Sequence, residues 1–408
     1  MIELGCDIAD SLTREQPTVA KTAPDHAAGL PAGLAGIIGD YQQLADTLPA
    51  PAPQSPAWIK AWFSQTGADG VFVVLRDQGK PVGAAALEIV KAHGMTIARF
   101  AGGSHANGNL LPFDGDCLPE PRDRLPAMLR DAVRFARPDI DLIVLERQLP
   151  QINGRPNPFI GQLSSPTVHV ALSADLSGGF DELLGRLNGK RKRKKHRGQR
   201  NKLEAAGGYR LLEARSAGEI NAMLDAFLAM KAERFAAMGI RNVFGDRQTI
   251  DFFRTLFLSQ AGSAKPRFFL KGLEVGGNLR AVDGFSVSDQ RLTIEFGSFR
   301  SDELARASPG EFMAYEFTRQ AAESGFSIYD YSVGDEPYKR QWCDIETWYV
   351  DSYLPVSVRG AFLARVLLVM NRAKRTIRTN PTLWRAIRGI KRRFSKSESP
   401  AAEADTES

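Results

Sequence analysis

An acid pair, a phenol and a cation stand together in Gly334-Asp335-Glu336-Pro337-Tyr338-Lys339. A carboxylate such as Asp335 or Glu336 can take a proton from an attacking amine. Tyr338 can return one to a leaving thiolate, and Lys339 can hold a phosphate or a carboxylate as a point charge. These are the few groups that acyl transfer from a thioester to an amine needs. Read without chemistry, the same residues are two turn carboxylates and a surface cation, types common in turns. Further upstream, Arg306, Ser308 and Gly310 surround a helix start, where backbone N–H groups and the helix dipole attract phosphate. Lys231 and Arg234 sit on adjoining turns of an expected helix, where they would face an acidic substrate or simply solvent. Asp283 and Glu295 interrupt strand-like runs and are expected to point outward, with Glu295 held in reserve as a base.

Local signals say which elements must present these groups. Ser308 before Pro309, with Glu311 three residues after Ser308, predicts a capping box with proline at the first helical position, and Gly325 is placed to end that helix. A closed box would spend the amides that a phosphate needs. Phe326 to Val333 has the aromatic and β-branched character of a strand, and Gly334 to Pro337 is turn chemistry that stops it. The acid, phenol and cation therefore lie at a strand's carboxyl end, where α/β sheets bind ligands.

This succession resembles the GNAT superfamily of acyl-CoA transferases. In particular it resembles the bacterial cellulose-biosynthesis (CelD-type) acetyltransferase family, whose members carry a similar Pro-Gly helix start and Gly-Asp-Glu-x-Tyr-Lys segment. The resemblance covers roughly residues 54 to 357. It implies acyl-CoA (acetyl-CoA) as co-substrate and an amine acceptor, a small molecule or a glycan, tied to envelope polysaccharide. It also implies a basic pair at Lys231 and Arg234 facing the acceptor, and a base from the strand of Glu295.

At 408 residues, 43% hydrophobic and 25% charged, the chain can bury the cores of two domains. Its formal charge of +6 is unevenly spread. Nine Lys/Arg and no acid lie between Lys190 and Lys202, and ten more lie between Arg372 and Lys396, so the remainder is acidic. Such blocks suit an anionic partner. The first lacks the interleaved aromatics of a single-strand reader, which argues against specific nucleic-acid binding. In the tail, Trp384, Ile387, Ile390 and Phe394 recur at helical spacing among arginines, the pattern of a helix on an anionic membrane surface. Cys6, Cys117 and Cys343 form no CxxC pair, and the five histidines show no ligand spacing, so no metal is expected. The amino terminus lacks the pattern of a signal peptide and no apolar run is long enough to span a bilayer, which predicts a cytoplasmic protein, peripheral on the inner membrane at most.

Strand-like runs near 71–76, 82–90 and 95–101, a helix near 123–137 and a strand at 141–146 return as runs at 267–272, 281–288 and 292–298, the helix from 309 and the strand from 326. An offset of 197 superposes Phe72 on Phe269, Ala84 on Ala281 and Thr96-Ile97 on Thr293-Ile294. The expected fold is α/β: two tandem GNAT-like units, each a mixed sheet flanked by helices. The expected division is a disordered Ala/Pro-rich segment 1–53, a first unit 54–172, a basic helical connector 173–212, a catalytic second unit 213–357 and a basic amphipathic tail 358–408. Two-fold repeats are also what Fem-type transferases look like, so an aminoacyl-tRNA donor is the second reading. A noncatalytic scaffold at the inner membrane is the third.

Overall fold

The computed structural model describes residues 30–47, 51–92, 94–114, 121–152 and 154–380. Eleven strands form one continuous sheet, ordered β1-β2-β3-β4-β13-β7-β12-β11-β10-β9-β8. The first half runs β1 (Gly70–Asp77), β2 (Lys80–Ala92) and β3 (Met95–Phe100) as an antiparallel meander. β4 (Leu142–Gln148) then lies parallel to β3, a pairing that requires the crossover helix α3 (Pro121–Ala136). The second half repeats this order. β9 (Phe268–Val275), β10 (Asn278–Ser288) and β11 (Arg291–Phe299) form the meander. The helix α8 (Pro309–Glu323) crosses to β12 (Ile328–Val333), parallel to β11, and β8 (Tyr209–Glu213) adds an outer edge.

The centre joins the halves by exchange. β7 (Ser164–Asp175), which follows the first half in sequence, pairs with β12 of the second. β13 (Ile345–Pro355), which follows the second half, pairs with β4 of the first, and β7 and β13 pair with each other. A small hairpin, β5 (Gln151–Ile152) with β6 (Arg155–Pro156), stands apart.

One helical layer also spans both halves. Ser55 caps α2 (Pro56–Thr66) by accepting from the Trp58 N–H, and Gly67, at φ 60°, ends it. The Trp58 ring is fully buried and stands edge-on to Phe252 of α7 (Arg247–Leu258), with centroids 4.8 Å apart. Such a pair stabilises by about 0.5–1.5 kcal/mol beyond its area burial. α6 (Ala217–Met238), opened by the Ser216–Glu219 capping box, adds Met223, Phe227 and Met230 to the same core.

Two expectations are corrected. Segment 1–53 was expected to lack order, yet Ala32–Thr47 is a helix, α1, whose Leu34, Tyr41 and Leu44 enter that core. The Tyr41 hydroxyl donates to Gln54 O at 2.8 Å. The Ala/Gly-rich composition hid an apolar face. Residues 1–29 and 48–50 lie outside the described residues, as does the tail from 381 with its expected membrane helix. The expected connector 173–212 is not a separate piece. Its ends belong to β7 and β8, and between them lie α4 (Gly179–Arg186) and the basic helix α5 (Gly189–Ala205). α5 docks on α8 through one face: His196 is 2.7 Å from Glu316 and stacks on Tyr315, Lys192 lies 3.9 Å over the Trp342 ring, and Leu203 is buried. Charge density concealed that face. The final described helix, α10 (Val358–Thr379), packs Leu363, Ala364, Leu367 and Leu368 over β4 and β13. Among the described residues no helix is long and apolar enough to cross a membrane, and no cluster of three or more metal-ligating side chains occurs.

Candidate active site

β11 and β12 pair over only three positions, Arg291↔Ile328, Leu292↔Tyr329 and Thr293↔Asp330, and then separate. Parallel strands that splay leave backbone groups without ladder partners, and these must be satisfied otherwise. Two predicted site residues do this. Lys231, from α6, donates to Gly297 O on β11 at 2.9 Å, and Lys339 donates to Val333 O at the end of β12 at 2.7 Å. Lys339 is buried, with Glu336 3.0 Å from its ammonium, so it staples the strand exit and is not a solvent-facing cation. In the first half the corresponding splay, beyond Arg99↔Val144, is closed by side chains. Buried Asn109 donates to Ala106 O and Glu146 O and accepts from Gln54, whose amide also donates to Ala101 O.

Glu295 lies two residues past the last β11–β12 pair, beside a bulge in the β10–β11 ladder at Gly284/Phe285. Its carboxylate accepts from Ser286 Oγ. Burial pushes its pKa up to about 7, a rise that the Ser286 hydrogen bond opposes and the nearby Asp330 charge assists. Asp330 itself pairs with Arg291 at 2.7 Å and accepts from Ser332 N. Phe285 and Val287 pack beneath α8, so Ser286 between them turns to the opposite face. There Glu295, Ser286, Thr293 and Trp348 line a cleft of about 560 Å³ between the two halves, with Ala52 and Gly108 on its other wall.

The α8 face carries a second group. Asp283, opposite Gly297, is raised to about 7 by burial, against the pull of Lys231. Tyr329 and Tyr331 are buried, and their phenols are pushed well up by burial, with Asp283 among the nearby charges that add to it. The Tyr329 hydroxyl has no hydrogen-bond partner among the described residues. Tyr338, 45% exposed, stands edge-on to Tyr331 at 6.4 Å, its phenol also raised, by burial first and then by Glu336. Asp283 and Glu295, expected to point outward, are each half-buried. The bulge and the splay partly cover them, and neither feature is visible in a period-two pattern.

Asp335 is exposed and bound to Arg340, which holds its carboxyl below the usual range, and Glu336 is half-exposed. Both precede the short helix α9 (Pro337–Arg340), Glu336 as its N-cap residue, and neither lines the cleft. A further raised carboxyl, Asp351 at about 6 through burial, is fully engaged. It accepts from Arg147 N and Asn371 Nδ2 and so ties α10 to β13.

The amino end of α8 departs from the predicted capping box. Ser308 is left-handed, φ 54° and ψ 62°, which aims its side chain away from the helix, and it makes no cap bond. Glu311 instead pairs with Lys195 of α5. Pro309 has no N–H, and those of Glu311 and Phe312 go to Ser308 O, so the first turn offers a phosphate little beyond the Gly310 amide. A Cβ on Gly310 would meet Phe299 at an ordinary 3.5 Å, so no close backbone approach requires glycine there. Two cations lie on this side of the chain. Arg234 stacks over Phe299 at 5.1 Å, and exposed Arg306 ends the turn before Ser308.

Residues 190–340 match the family model described as acetyltransferase (GNAT) domain. The second half of the sheet is thus similar to a GNAT domain. The splay, α8 and the Tyr338 turn all lie within it. No curated protein sequence matches the chain. Among solved structures, FemX superposes with a TM-score of 0.54 at 12% identity, over 81% of this chain and 98% of FemX, which shows a shared fold. A C-terminal domain (DUF2156) of a putative lysylphosphatidylglycerol synthetase from Agrobacterium fabrum aligns at 13% identity and TM-score 0.49, over 83% of this chain and 96% of that one. A tandem GNAT protein from the clavulanic acid biosynthesis pathway aligns at 13% and 0.39, over 79% and 96%. The domain supports a transferase of the acyltransferase type.

Proposed function

We propose that the protein transfers an acyl group from acyl-CoA to an amine through the splay between β11 and β12. The observation that carries this reading is Glu295, a half-buried carboxyl with its pKa pushed up to about 7 where the splay meets a substrate-sized cleft. A general base works best with a pKa near the working pH. In this reading the acceptor amine lies in the cleft and the thioester reaches it from the α8 face. The amine nitrogen attacks the thioester carbon and the C–S bond breaks. The proton from nitrogen passes to Glu295, and Tyr338 protonates the departing thiolate. Arg234, Arg306 and the Gly310 amide hold the CoA phosphates, while Lys231 and Lys339 keep the two strand ends apart. Asp335 and Glu336 fix the turn that presents Tyr338. A glycan amine suits the cleft, whose wall mixes Trp348 with Ser286 and Thr293.

An aminoacyl-tRNA donor is the second reading. It is favoured by the exposed Lys190, Arg191, Lys194 and Arg197 of α5, whose Lys195 and Gln199 reach the amino end of α8. Calorimetric titration of the whole protein with acetyl-CoA and longer acyl-CoAs separates the two. Micromolar binding weakened in Arg234→Ala supports the first. Absence of acyl-CoA binding together with salt-sensitive binding of aminoacyl-tRNA overturns it in favour of the second.

A further inference from the structure

Helix α10 is apolar on both sides. Its inner face is buried on the sheet, yet on its outer face Val358 is 89% exposed, Phe362 69% and Val369 64%, with Val366 and Met370 beside them. At 3.6 residues per turn, positions 358, 362, 366 and 369 fall in one stripe along the helix. Solvated helices do not present such a stripe without a partner. Exposed Arg365 and Arg372 run along one flank and Arg359 along the other. Between residues 358 and 379 there are six Lys/Arg and no Asp/Glu. A second copy of this helix would bring like charges together with no acid to answer them, and stretch 381–396, with six Lys/Arg and no Asp/Glu, would do the same.

We propose that the outer face of α10 docks on an anionic lipid surface, with Phe362 and Val369 entering the headgroup–acyl boundary and the flanking arginines meeting lipid phosphates. Apolar burial and cationic attraction act together in such helices. This goes beyond the transfer reaction and does not depend on the donor. It also bears on the acceptor, because Arg375 of the same helix lies over Trp348 of the cleft wall. Docking would thus hold the cleft beside the surface.

Vesicle flotation of the full chain tests the proposal, with phosphatidylcholine alone and with phosphatidylcholine plus phosphatidylglycerol. Binding is expected only to the anionic vesicles, weakened by salt. Phe362→Asp with Val369→Asp should reduce partitioning about tenfold or more, and Arg365→Glu with Arg372→Glu should do likewise. Should the first pair lower the melting temperature, Val358→Asp alone gives the same reading. Unchanged binding in these variants would assign any membrane contact to the tail and overturn the proposal. So would no binding by the parent, or a solution dimer that Phe362→Asp dissolves.

Discussion

Glu295 accepts a hydrogen bond from Ser286 across the β10–β11 ladder, one residue before the register resumes at Phe296↔Gly284. The bond orients a carboxylate that the splay exposes on the cleft side and the sheet otherwise buries. Two consequences follow, one for rate and one for stability.

Glu295→Gln should lower kcat/KM by about 10²–10⁴ without loss of fold, since the amide replaces the carboxylate in the same volume. In the parent, activity should rise with pH through about 7, as the base loses its proton. The variant should lack that limb in a pH–rate profile.

The same carboxyl makes folding pH-dependent. Its folded pKa, about 7, lies above its ordinary value of 4.5, so the native state keeps a proton that the unfolded chain releases between them. Its stabilising contribution is full below about 4.5 and falls as pH rises through 7. Thermal melts from acid to neutral pH should flatten in Glu295→Gln. Asp283, raised the same way from 3.8, should contribute a parallel slope that Asp283→Asn removes.

Tyr338 and Lys339 are neighbours with separable effects. Tyr338→Phe should slow turnover by about 10²-fold or more with an unchanged melting temperature, because its hydroxyl has no hydrogen bond among the described residues to lose. Lys339→Ala leaves Val333 O without its donor and should cost about 1–3 kcal/mol of stability, visible in denaturant unfolding. Equal melting temperatures for the two variants would contradict this division.

At the amino end of α8, Arg234→Ala should weaken acyl-CoA binding by about tenfold through loss of a charge-assisted phosphate contact. Gly310→Ala should bind nearly as the parent, because the added methyl meets Phe299 only at contact distance. Calorimetry on both variants distinguishes side-chain from backbone recognition.

Tyr41→Ala should destabilise the whole protein by about 3–5 kcal/mol, as large-to-small changes of buried aromatics do. Chemical denaturation would show this as a lower midpoint. A negligible change would mean that α1 adds nothing to the core it enters.

The strand and helix periods, the turn at Gly334 and the repeat at an offset of 197 were legible along the chain, because each depends on neighbours within a few residues. They determined the mixed α/β architecture and singled out the Tyr338 turn. The local rules failed where a distant partner intervened. Glu311 follows Ser308 at capping-box spacing, but Lys195 claims it from α5 and Ser308 turns left-handed. Lys339 reads as a surface cation until Val333 O, left without a ladder partner by the splay, accepts a hydrogen bond from its ammonium. Asp283 and Glu295 alternate along strands like solvent-facing residues, and the bulge at Gly284/Phe285 and the parting of β11 from β12 leave them half-buried. Spacing in the chain thus determined which elements form. The exchange of β7 and β13 between the halves, the opened splay of the second half and the raised carboxyls beside it were decided by tertiary packing, because each depends on which distant groups remove water from a side chain.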